Sequence, residues 1–92
     1  MDVTTLLKEV KEYLKITWND ERTNSEIQSL INQADYFLRN RTGQEKLDYT
    51  KDLDALSLLK DYCRYVRNYS LEYFEGNFQS MIWDLILKYA DK

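Results

Sequence analysis

Apolar residues along the chain recur at helical rather than alternating spacing, which predicts helices over most of its length. The first stripe is Val3, Leu6, Leu7, Val10, Tyr13 and Leu14, a helix over about residues 4–15 whose other face carries Lys8, Glu9, Lys11, Glu12 and Lys15. Thr4 or Thr5 is the expected cap. Leu14, Ile16 and Trp18 then alternate into a polar run ending at Asn24, which reads as a loop pinned by Ile16 and Trp18. A second helix over about 24–42 is marked at its start by Thr23 and Glu26 at capping-box spacing, and at its end by Gly43. Its buried stripe is Ile27, Leu30, Ile31, Ala34, Phe37 and Leu38. Tyr36 falls opposite that stripe and should be exposed in a lone subunit. Residues 44–49 read as a short polar connector.

A third and central helix is expected over about 50–68, with Leu53, Leu56, Leu59, Tyr62, Cys63, Val66 and Tyr69 on a wide apolar arc. Its opposite face holds Lys60, Arg64 and Arg67 among Asp54, Ser57, Asp61 and Asn68. Tyr73 and Phe74 precede a turn signal at Gly76-Asn77, where the chain should break or bend. The last helix, about 78–90, is unusual. Phe78, Met81, Ile82, Leu85 and Tyr89 make one stripe, while Trp83, Ile86, Leu87 and Ala90 fill an adjacent arc. Roughly two thirds of its circumference is apolar at 100° per residue. Such a helix lies in a groove between others or is covered by another subunit. The expected fold is all-α, a compact bundle of about four helices in a single domain over residues 1–92.

Composition narrows the chemistry. In 92 residues there are two glycines, no proline, no histidine and one cysteine. That removes Ser-His-Asp triads, histidine general bases, histidine or cysteine zinc sites and internal disulfides. A net charge of -3 argues against coating nucleic acid by bulk electrostatics. The N-terminus lacks the pattern of a signal peptide, and Asp84 interrupts the late apolar stretch, so a soluble, intracellular chain without membrane contact is expected. The lone Cys63 fits a reducing compartment. Asp20, Glu21 and Glu26 lack calcium-loop spacing and read as capping and solvation. Cys63 reads as packing rather than as a nucleophile. No catalytic residue, metal or cofactor is expected.

Two surface features remain. Lys60, Arg64 and Arg67 share one face that can meet phosphate or an acidic partner, although a solvated face partly neutralised by Asp54 and Asp61 is the favoured reading. Tyr36, Tyr73 and Trp83 are hard to place in one small core, and these residue types are enriched at interfaces.

The order of signals resembles the small head-tail connector (adaptor) proteins of long-tailed bacteriophages. The first half carries Tyr13-Leu14-Lys15-Ile16, an acidic loop at Asp20-Glu21, then Ile27, Leu30-Ile31, Ala34 and Phe37-Leu38 closed by Thr42-Gly43. The second half carries Leu58-Leu59, the run from Tyr62 to Asn68, and Ser70-Leu71-Glu72-Tyr73-Phe74 leading into Phe78-Gln79-Ser80. The resemblance implies a non-enzymatic virion protein, made in the host bacterial cytoplasm and placed at the head-tail junction. It implies self-association into a ring of about twelve subunits. That ring docks on the portal protein after DNA packaging, extends the DNA channel and receives the stopper or tail-completion protein. Trp83, Ile86 and Leu87, with Tyr73 and Tyr36, are the implied subunit or portal contacts. DNA passes without sequence-specific binding, which suits an acidic chain. Only Ala90-Asp91-Lys92 follow the last helix, so docking should use that helix rather than a longer C-terminal arm. The alternative is a small helical nucleic-acid-binding or regulatory protein using the Lys60, Arg64, Arg67 face.

Overall fold

Each of the first three helices begins at an aspartate. In the computed structural model, which describes residues 1–90, α1 spans Val3–Tyr13, α2 Glu21–Thr42 and α3 Leu53–Arg67. A 3₁₀ turn at Leu71–Tyr73 leads into the single-turn α4 (Phe74–Asn77) and then α5 (Gln79–Ala90). The described residues are all helix and connection, with five α-helices and a 3₁₀ turn where about four helices were expected. Asp91 and Lys92, part of the expected short C-terminus, lie outside the described residues.

The caps of α1 and α3 differ from those expected, whereas Asp20 of the acidic loop takes the capping role read for it. Asp2, not Thr4 or Thr5, caps α1 by accepting the Thr5 N–H at 2.7 Å. Asp20 caps α2: it accepts the Thr23 N–H at 2.8 Å and the Thr23 hydroxyl at 3.0 Å, so Thr23 lies inside the helix. Asp52 caps α3 through the Ala55 N–H at 3.0 Å, which starts that helix after residue 50. In each case a carboxylate satisfies amide donors that the first turn leaves open. At the other end of α2, Gly43 takes the left-handed conformation at φ 71°. A Cβ there meets nothing within 4 Å, so Gly43→Ala should cost only the backbone penalty of about 1 kcal/mol. Gly76 sits inside α4 with open space beside it, and Gly76→Ala should stabilise by about 0.5 kcal/mol. Opposite shifts in thermal midpoint check the pair.

α2 and α3 form the central antiparallel hairpin, with α1 and α5 packed on both of them. The core joins Ile27, Ile31 and Leu38 of α2 to Leu58, Leu59 and Cys63 of α3, Val10 of α1 and Leu85 of α5. Phe74, 0% exposed, is its aromatic centre. Its ring lies 5.8 Å from Phe37, 5.2 Å from Tyr62, 5.7 Å from Tyr65 and 5.1 Å from Phe78.

Several side chains depart from their expected places. α3 ends at Arg67, close to its expected end near residue 68, where Tyr69 turns to φ 56°, and the chain bends again at Phe78, directly after the Gly76-Asn77 turn signal. Tyr69 therefore points away from the core, 93% exposed, and Leu53 is exposed at the opposite end of α3. Ile16 does pin the first loop, but Trp18 is exposed and donates its indole N–H to the Thr23 hydroxyl at 3.0 Å. The polar connector hides a buried aromatic, Tyr49, whose hydroxyl donates to Asp35 at 2.6 Å.

The Cα envelope measures 42 × 28 × 16 Å, a slab whose thinnest direction holds about two helix layers. Its accessible surface of 6196 Å² is roughly a tenth above the ~5,650 Å² expected for a monomer of this mass.

Candidate functional site

α5 packs through Ile82 and Leu85, with Phe78, Ile86 and Tyr89 half-buried beside them. The rest of its apolar surface stays outside. Trp83 is 54% and Leu87 59% exposed, four residues apart and therefore stacked on one face of the helix. Asp84 lies beside them and makes no hydrogen bond or ion pair among the described residues. Trp83 and Ile86 also line a cavity of about 380 Å³ that runs to Gln79 and to the Arg41–Glu75 ion pair joining α2 to α4. Ile86 thus forms a groove wall rather than a freely exposed anchor.

The other two aromatic candidates lie elsewhere. Tyr73 is 62% exposed on the 3₁₀ turn, and Tyr36 is 64% exposed on the outer side of α2, above a shallow depression reaching Gly43. The fold therefore gathers Trp83, Ile86 and Leu87 on one helix and leaves Tyr36 on a separate surface.

The basic stripe is less free than its spacing suggests. Lys60 reaches across to Glu9 of α1 at 3.1 Å, and Arg64 pairs with Asp61 one turn away at 3.2 Å. Arg67 alone of the three is exposed without such a partner among the described residues. Tyr13 donates its hydroxyl to Asp61 as well, and that hydrogen bond, with burial, pushes the phenol pKa up. The motif recurs. Asp35 accepts from Tyr49 and Arg39, and Asp52 accepts from Tyr89 and Lys88. Burial and the bond to Asp35 push the Tyr49 phenol well above its ordinary range. Burial opposes ionisation of Asp52, but the Tyr89, Lys88 and Ala55 hydrogen bonds outweigh it and hold its pKa below 3.8. These carboxylates tie helices together, with their lone pairs already engaged.

One feature was not singled out in the sequence. Lys8 and Lys11 of α1 and Lys15 of the turn that follows it line a groove of about 670 Å³ between that helix and the following loop. Leu7 and Ile16 contribute its apolar wall. Lys11 donates to Asn24 in the first turn of α2 at 2.7 Å and to Asn19 of the loop at 3.4 Å, and Asn24 donates to Asn19 at 2.8 Å, which together hold the loop against α1. The i, i+3, i+7 lysine spacing was visible, but the folding of the loop onto it was not.

Among the described residues no three His, Cys, Asp or Glu side chains converge as a metal site would require. Burial pushes the Cys63 thiol up to about 12, so it carries no thiolate at neutral pH. No helix among the described residues is long and apolar enough to cross a membrane. Comparison with family models, curated proteins and solved structures finds no match.

Proposed function

We propose that the chain is a structural subunit of a phage head-tail connector, assembling as a ring between the portal and the stopper or tail-completion protein. The observation that carries this reading is the outer face of α5. A small domain rarely leaves a tryptophan and a leucine stacked on one helix face unless a partner covers them. Burying the exposed parts of Trp83 and Leu87 would contribute about 2 kcal/mol at each contact, repeated around a ring. The slab shape and surplus accessible surface suit a piece designed for lateral and axial contacts. The sequence resemblance supplies the biological setting: a virion location, a channel for DNA without sequence-specific binding, and no catalysis. The nucleic-acid-binding alternative loses support because Lys60 and Arg64 are engaged within the chain.

The test uses Trp83→Ala combined with Leu87→Asp. Both sites are exposed, so the monomer should keep its helical spectrum and melt within about 1 kcal/mol of the parent. Capture by the cognate portal ring should fall by at least about tenfold. Unchanged capture by a folded variant would remove the α5 face from the proposal.

A further inference from the structure

We infer that copies of this chain join head to tail, the Trp83, Asp84 and Leu87 face of α5 on one copy seating in the lysine-lined α1 groove of the next. The two surfaces are complementary in kind. The groove, lined by Leu7 and Ile16, sets three ammonium groups against the one carboxylate of Glu12, and the helix face offers two large apolar side chains beside a carboxylate with no internal partner. Lys8 and Lys15 likewise have no hydrogen-bond or ion-pair partner among the described residues. The groove volume of about 670 Å³ falls within the ~300–1,000 Å³ of sites that enclose a ligand-sized group, so it can admit the indole and isobutyl groups together.

The placement decides the symmetry. The groove belongs to α1 and its loop, whereas the apolar face belongs to α5, and both elements are anchored separately on the α2–α3 hairpin. A contact between unlike surfaces leaves one of each unused on every pair. Such heterologous joining closes into a ring when the rotation permits and otherwise extends as a filament. An isologous dimer through α5 alone would instead stop at two copies and place two Asp84 carboxylates near each other. Opposite charge at the seam also sets register and rejects like-facing encounters. This inference gives the ring reading its lateral contact, but it stands on the two surfaces themselves.

The test is pairwise thiol cross-linking with a short bifunctional maleimide. The native Cys63 is fully buried and serves as the silent background. A Lys8→Cys protein is mixed with a Leu87→Cys protein, both free at high concentration and bound to portal rings. Asn40→Cys, on the exposed side of α2, provides the collision control. The mixed Lys8→Cys with Leu87→Cys product should dominate. Adding Lys15→Glu to the first protein should lower its yield at least about tenfold, and adding Asp84→Lys to the second should restore much of it. A dominant product between two Leu87→Cys copies, or a mixed yield no higher than the control in both settings, would overturn the inference. The two readings fail separately. A dominant mixed product without portal capture leaves head-to-tail joining in place and removes the connector; portal capture with the symmetric product does the reverse.

Discussion

Phe74→Ala is expected to destabilise the protein by about 3–5 kcal/mol, the largest effect of any single side chain here. Phe74 is fully buried and touches rings from α2, α3 and the junction before α5, so truncation removes the common neighbour of Phe37, Tyr62, Tyr65 and Phe78. Part of the loss is transfer free energy and part is the cavity, which four ring neighbours held by α2, α3 and the junction before α5 cannot readily fill. A chain of this length has a total stability on the order of 5–14 kcal/mol. The thermal midpoint should therefore fall by roughly 15 to 30 °C, read by circular dichroism. Phe74→Leu keeps most of the volume and should lose less than half as much. A Phe74→Ala protein melting within a few degrees of the parent would mean that the short α4 segment does not anchor the bundle.

Asp52→Ala should cost about 3 kcal/mol at neutral pH. One carboxylate caps α3 through Ala55 and receives both the Lys88 ammonium and the Tyr89 hydroxyl from the end of α5. Removing it opens the first turn of α3 and takes away the acceptor that Lys88 and Tyr89 share, leaving Lys88 only its longer contact to Asp54 at 3.5 Å. Asp52→Asn retains an acceptor for the cap and should cost about half as much. The pH dependence has a definite sign. Burial raises the Asp52 pKa, but its hydrogen-bond partners lower it further, so the folded value lies below 3.8. The stabilisation is therefore complete above the unfolded value and is lost as pH falls through the folded one. Urea unfolding should give a wide gap between parent and Asp52→Ala at neutral pH that narrows below about pH 3.8. A gap independent of pH would contradict the ionised, shared role of this carboxylate.

Helical periodicity carried much of the fold. The Ile27 to Leu38 stripe and the Gly43 stop are local features, and local features are what spacing records. The places of Tyr69 and Tyr49 were not local. Tyr69 continues the α3 stripe only on a helix that the backbone has already left, and Tyr49 is buried because Asp35, on α2, accepts its hydroxyl. The caps of α1 and α3 were missed for a related reason. Asp2 and Asp52 each precede an apolar residue, Val3 or Leu53, that opens the helical pattern, and only the amide geometry separates cap from first turn. The outer face of α5 was legible because its apolar arc exceeds what one side of a helix can bury. The lysine groove depends on how residues 16–24 fold over α1, and no periodicity encodes that closure.

The measurement that bears most directly on the ring reading is imaging of portal rings mixed with this chain, by negative stain with mass determination on the same sample. A collar of added density around an axial opening, with a mass increase equal to one chain per portal subunit, is the expected result. Bare portals beside a folded monomer at saturating concentration, or bound chain that occludes the opening, would contradict it.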